Sequence, residues 1–124
     1  MKKIILIGMT GMTAAALLFF GRIIPVYADA DDVKITGEVI DTFCYTALGA
    51  KGEGHRECGL ACAKKGAPVA ILENGTNKVY VLLPNKDKTA LPDAVIDKMG
   101  RAATITGHVY SKGSSQFLTV ESVG

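Results

Sequence analysis

The stretch VKITGEVIDTFCY, residues 33–45, sets the fold class of this chain. Small or apolar residues alternate with polar ones along its first seven positions: Val33, Ile35, Gly37 and Val39 against Lys34, Thr36 and Glu38. This period of two is typical of a β-strand with one buried face. A glycine within a strand marks a bend, a bulge or a close backbone approach, and Gly37 here is matched later by Gly107. The stretch therefore predicts a long, curved first strand.

Four further strands are predicted downstream. The segment VAILENGTNKVYVLLP contains strands at 69–73 and 78–83, joined by the turn NGTN and ended by Pro84. RAATITGHVYSKG, residues 101–113, and SQFLTVESV, residues 115–123, are predicted to form a second hairpin across a Gly/Ser turn.

Two helices are predicted between these strands. HRECGLACAKK, residues 55–65, is followed by Gly66, which suits a left-handed cap, and by Pro68, which cannot continue a helix. TALPDAVIDKM, residues 89–99, places apolar side chains at i, i+4 and i+8 and is followed by Gly100.

Five strands with a helix between the third and the fourth follow the order of an OB-fold, a small partly open Greek-key barrel. The final segment, TITGHVYSKGSSQFLTVESV, also resembles the last hairpin of small exported bacterial OB-fold domains. The expected fold is therefore mostly β with minor α: an OB-like five-stranded partly open barrel. One short helix bearing Cys and His follows strand 1, and another helix lies between strands 3 and 4. A different small five-stranded roll or barrel is the alternative.

The N-terminus has the pattern of a secretory signal peptide. Two lysines precede the apolar run IILIGMTGMTAAALLFF, residues 4–20, and cleavage is expected after Ala28 or Ala30. A retained membrane anchor is the alternative, because the run approaches the ~18–20 apolar residues of a spanning helix. Glycines and threonines dilute the run, and no cysteine directly follows it that could carry a lipid. Residues 1–30 are therefore predicted to be a secretory signal peptide.

Removal of this leader leaves residues 31–124, enough for a single small domain. Of the 14 basic and 12 acidic residues of the chain, those in the leader are Lys2, Lys3, Arg22 and Asp29. The remaining domain is close to neutral, which argues against a nucleic-acid partner. We expect it in the periplasm or outside the cell, and in contact with a membrane only if the leader is uncleaved.

The residues with the clearest chemical potential are the three cysteines and one of the two histidines. On a helix, His55, Cys58 and Cys62 are spaced i, i+3 and i+7 and share one face. Cys44 lies at the end of the predicted first strand, and a Gly-rich connector could fold it against that face. Three thiolates and one imidazole form a known tetrahedral zinc set. Asp41 could orient a ligand histidine, although a carboxylate of a strand-end turn is the simpler interpretation.

The metal hypothesis therefore names Cys44, His55, Cys58 and Cys62 as ligands. Zinc is favoured, and soft thiolates also suit Cu(I) or an iron–sulfur cluster. The spacing differs from the usual C-x₂₋₄-C knuckles, since only one cysteine pair is close in sequence. His108 is interpreted as a strand residue and not as a ligand.

Two other uses of the thiols stay open. Cys44 could form a disulfide with Cys58 or Cys62, since disulfides persist in exported proteins. Alternatively, the thiols could act in redox exchange or covalent attachment, because a helix N-terminus lowers the pKa of a thiol.

The predicted function is that of an exported metal-binding or redox-accessory protein, with a membrane-bound or periplasmic protein as its partner. A disulfide-stapled OB-fold module that binds a protein or an oligosaccharide without metal is the alternative. No hydroxyl nucleophile, carboxylate pair or phosphate-binding loop stands out, so an enzyme is less favoured.

Overall fold

The computed structural model describes residues 32–124, so the predicted signal peptide and its cleavage sites lie outside the described residues. Within them the chain is mostly β, as expected. The strands are β1 (Val33–Asp41), β2 (Val69–Glu73), β3 (Val79–Pro84), β4 (Ala102–Gly107), β5 (Val109–Lys112), β6 (Ser115–Val120) and β7 (Ser122–Val123). The helices are α1 (Thr42–Leu48), α2 (Arg56–Lys64) and α3 (Asp93–Ile96), and a 3-10 turn, Glu53–His55, precedes α2.

The strands form one sheet in the order β5-β6-β3-β2-β1-β4-β7. Neighbouring strands are antiparallel except for β3 and β6, which run parallel. The sheet is not closed into a barrel, and a five-stranded OB-like barrel is not confirmed. The described part of the chain has seven strands because each arm of the last hairpin is divided, at His108 and at Glu121.

Close backbone contacts explain the two strand glycines. A Cβ atom on Gly37 would lie 2.0 Å from the carbonyl oxygen of Leu72, and one on Gly107 would lie 1.7 Å from that of Thr119. Both distances are far below van der Waals contact, so only glycine fits where these strands approach one another.

Helix α1 was not expected from the sequence, which predicted Cys44 at the end of a strand. The strand ends instead at Asp41, whose side chain accepts a hydrogen bond from the Cys44 N–H at 2.8 Å. This is the N-cap interaction that begins a helix. Gly49 then ends α1 in the left-handed region, at φ 66°. The position of Cys44 on a strand end was therefore wrong, because the carboxylate cap turns the chain into a helix.

The two predicted helices are both present but differ in accuracy. Helix α2 agrees closely with the predicted 55–65, whereas only four residues of the predicted 89–99 form α3. Pro92 occupies the N-cap of α3, and Gly100 N donates to Val39 O at 2.8 Å, so the chain joins β1 soon after α3 ends. Tertiary pairing thus shortens the predicted helix.

The main core lies between the sheet and the helices. It is built mainly from strand residues of β1 to β4 and β6, completed by Val95 and Met99 from the α3 region. None of the helices within residues 32–124 has the length and apolar character needed to span a bilayer.

Candidate metal centre

Three consecutive pieces of chain converge beside β1. Asp41 ends the strand, Cys44 lies on α1, and the 3-10 turn and α2 contribute His55, Cys58 and Cys62. Because α2 packs against β1, all five side chains meet at one end of that strand.

The cluster contains two overlapping sets of donor atoms. The ligand atoms of Cys44, His55 and Cys58 lie within 4.8 Å of one another, and so do those of Asp41, Cys44 and Cys62. The Sγ atoms of Cys44 and Cys62 are 3.9 Å apart. With Zn–S bonds of ~2.3 Å, two thiolates of a tetrahedral site lie about 3.8 Å apart. The structure thus brings all four predicted ligands together around Cys44, in two sets and not in one symmetric group.

Asp41 holds the imidazole of His55. Its Oδ2 lies 3.0 Å from His55 Nε2, and its side chain is 0% exposed, against 18% for the histidine. Burial alone would raise the pKa of Asp41, but the Cys44 N–H and the imidazole of His55 outweigh it and keep the pKa below its ordinary value. The carboxylate is therefore the acceptor and Nε2–H the donor, so Nδ1 is the ring nitrogen that this contact leaves available to a metal.

The three thiols differ in their surroundings. Cys44 is 4% exposed, Cys62 is half-buried and Cys58 is exposed, and all three are free. Burial, together with the neighbouring Asp41 and Cys62, raises the pKa of Cys44 to about 12. A metal would therefore displace a proton from Cys44 on binding. The cluster is buried at Cys44 and open to solvent at Cys58.

The approach of α2 to β1 depends on Gly59. A Cβ atom at this position would lie 2.9 Å from the Cγ and Sδ atoms of Met99 and 3.4 Å from Asp41 Oδ2. The glycine therefore allows the helix to lie directly over the carboxylate, and the His55–Asp41 contact follows from that approach.

Polar contacts hold the 3-10 turn in place. Arg101 donates to the two carboxylate oxygens of Glu53 at 2.7 and 2.8 Å, and Arg56 Nη1 donates to Met99 O at 2.6 Å. Gly52 N also donates to Glu38 Oε1. His55 is therefore positioned from both sides of the turn.

Sequence reasoning undervalued Asp41 and missed Gly59. The interpretation of Asp41 as a turn carboxylate did not include its contact with His55. That contact has the geometry expected of a carboxylate that orients a ligand histidine. The cap signal of an Asp three residues before Cys44 was present in the sequence and would have revealed α1. His108 lies in neither donor set, and its Nδ1 lies 3.4 Å from Asp32 Oδ1.

Comparison with protein-family models, curated proteins and solved structures gives no match.

Proposed function

We propose that this chain is an exported metal-binding or redox-accessory protein. Cys44, His55 and Cys58 hold the metal, and Cys62 is the fourth soft donor beside them. The observation that carries the proposal is the imidazole of His55: a buried carboxylate holds it at 3.0 Å, and two cysteine sulfurs lie within 4.8 Å of one of its ring nitrogens. A carboxylate that orients a histidine is a common feature of protein metal sites, where it fixes the tautomer that ligates.

Zinc is the favoured metal, because three thiolates and an imidazole match its tetrahedral preference. The sulfur-rich set also suits Cu(I) or an iron–sulfur cluster. The apolar N-terminal segment, with its lysines and small residues, supports export. The exposed thiol of Cys58 leaves one side of the site accessible, which suits a periplasmic or membrane-bound protein partner that gives or takes the metal.

A second candidate is favoured by the 3.9 Å contact between the sulfurs of Cys44 and Cys62. A disulfide there would join α1 to α2 across 18 residues and stabilise the domain by about 3 kcal/mol. The protein would then be a binding module. A shallow groove of about 440 Å³, lined by Leu83, Tyr110 and Phe117, offers it an apolar contact surface.

We also infer an OB-like connectivity for the sheet. The parallel pairing of β3 with β6 supports it, and so do the bonds that join the divided arms of the last hairpin. Thr119 N donates to His108 O at 3.0 Å, and Glu121 N donates to Thr106 O at 2.8 Å.

Metal analysis beside thiol counting separates the two functions. The full chain is expressed with its leader, purified from the compartment to which the cell delivers it, and measured for bound metal and for thiols under denaturing conditions with a chelator present. We expect stoichiometric metal and three reactive thiols. Protein without metal and with one reactive thiol would contradict the metal function and support the disulfide.

Anaerobic titration of the reduced protein with Co²⁺ then tests the ligands. Binding through thiolates gives sulfur-to-cobalt charge-transfer absorption and the strong visible bands of tetrahedral Co²⁺. Cys58→Ser should weaken these bands, whereas His108→Ala is the matched control for a histidine outside the cluster.

A further inference from the structure

We propose that the site is a redox switch in which a disulfide between Cys44 and Cys62 releases the metal. This inference rests on the proposed function, since it concerns the regulation of the same site. It assigns different roles to the cysteines: Cys58 is a ligand only, whereas Cys44 and Cys62 are ligands in the reduced protein and partners in the disulfide.

The first step is that the two sets of donor atoms share Cys44. Its sulfur belongs to the set with His55 and Cys58, and it also belongs to the set with Cys62. A sulfur in a disulfide cannot bind a metal as a thiolate. Whatever joins Cys44 to Cys62 therefore removes both thiolates from the metal.

The second step is the geometry of the two thiols. Cys44 Sγ and Cys62 Sγ are already in contact at 3.9 Å, and a disulfide bond is ~2.05 Å long. Cys44 lies on α1 and Cys62 on α2, so bond formation has to bring the two sulfurs closer by about 1.8 Å. Cys44 is buried, whereas Cys62 is half-buried and within reach of a small oxidant.

The third step is the number of ligands that remain once the disulfide has formed. Without Cys44 and Cys62, the proposed ligand set consists of His55 and Cys58 alone. These two ligands, one on the 3-10 turn and one on α2, are too few for the four-coordinate site that zinc prefers. Oxidation therefore converts a site with four ligands into a weak site with two.

The oxidant belongs to the class of low-molecular-weight disulfides, of which glutathione disulfide is the probe. The thiolate of Cys62 attacks one sulfur of the probe, forms a mixed disulfide and expels one glutathione thiolate. The thiolate of Cys44 then attacks the sulfur of Cys62 in the mixed disulfide and expels the second glutathione thiolate. Two protein cysteines lose two electrons in total, and one glutathione disulfide becomes two glutathione thiols. Dithiothreitol reverses the change.

The test uses the full chain, reduced anaerobically, loaded with zinc and then exposed to glutathione disulfide. Zinc release is followed with a chromophoric chelator, and the disulfide is mapped by mass spectrometry of alkylated peptides. We expect wild-type protein to release zinc in step with formation of the Cys44–Cys62 bond and to bind it again after reduction. Reduced Cys62→Ser should bind zinc more weakly through its three remaining ligands, but glutathione disulfide should release that zinc at least about tenfold more slowly. Cys58→Ser is the matched control, which forms the disulfide but holds zinc weakly.

Three outcomes would overturn the switch while leaving the metal function intact. They are a disulfide that maps to Cys58, equally fast release from Cys62→Ser, and zinc that stays bound after the Cys44–Cys62 disulfide has formed. Mapping in the wild-type chain keeps the test decisive even if a variant is unstable. Failure of the reduced wild-type chain to bind zinc at all would overturn the proposed function, and the switch with it.

Discussion

At the scale of single residues, Asp41 links the fold to the site. Its buried carboxylate ends β1, accepts the Cys44 N–H at 2.8 Å to begin α1, and holds His55 at 3.0 Å. A buried charge is costly unless it is paired and hydrogen-bonded, and both carboxylate oxygens have a partner here. The same side chain thus positions one ligand through the backbone and another through its imidazole.

Asp41→Asn should lower the affinity for zinc by about 10- to 100-fold. The amide oxygen of asparagine can still cap α1, but its NH₂ group would face His55 Nε2. The imidazole would then carry its proton on Nδ1, which removes the lone pair needed for the metal. Competition with a chelator of known affinity measures the change.

The matched control for this charge change is Asp87→Asn, since Asp87 is almost fully exposed and its salt-bridge contact is with Lys88 alone in the described structure. Its affinity for zinc should equal that of the wild type. An Asp41→Asn protein with unchanged affinity would show that the carboxylate does not orient His55.

Tyr80 makes stability depend on pH at the alkaline end. Burial, and then the charge of Glu73, raise the pKa of Tyr80 in the folded state. The unfolded chain therefore loses the phenol proton first, and the free energy of unfolding falls as pH rises above about 10. Denaturant titrations at several alkaline pH values should show a steeper fall for the wild type than for Tyr80→Phe. Equal slopes would contradict this assignment.

At the scale of elements, the packing of α2 on β1 brings the donors together. Gly59 is the contact point, because it leaves no side chain between the helix and the pair formed by Asp41 and Met99. The helix could not keep this distance with a larger residue there.

Gly59→Ala should destabilise the protein by about 1 kcal/mol, because overpacking costs ~1–3 kcal/mol and the better helix propensity of alanine returns ~1 kcal/mol. Affinity for zinc should fall as well, since α2 must move away from Asp41. Thermal unfolding and chelator competition measure the two effects. In Gly54→Ala the new Cβ meets nothing within 4 Å, so this control should change neither. Equal behaviour of the two variants would mean that close packing at Gly59 does not hold the site.

The elements also show how far sequence reasoning can go. Helix α2 and the shared face of His55, Cys58 and Cys62 were predictable because spacing, cap and terminator all lie within the segment itself. Helix α1 was missed because the strand pattern before it was strong and the cap residue was assigned to a turn. The predicted helix at 89–99 was too long, since pairing of the following residues with β1 depends on contacts about sixty positions away.

At the scale of the whole molecule, a site that lies within residues 41–62 is supported by a small domain that joins parts distant in sequence. Its sheet depends on long-range pairs such as β1 with β4 and β3 with β6. Sequence patterns could predict most of the strands but not the division of the last hairpin, because that division arises from backbone contacts between its two arms. A domain of this size has a limited core, so a ligand that ties α1 to α2 has a large effect on its stability.

Zinc should therefore stabilise the whole domain. At a free concentration of about 100 times the dissociation constant, binding to the folded state adds about 2.7 kcal/mol. For a domain of this size each kcal/mol raises the melting temperature by roughly 4–8 °C, so calorimetry of the reduced protein with and without zinc should show a clear shift. Cys44→Ser should abolish the shift, because Cys44 belongs to both donor sets, whereas His108→Ala should keep it. A zinc-dependent shift that survives in Cys44→Ser would place the metal elsewhere on the protein.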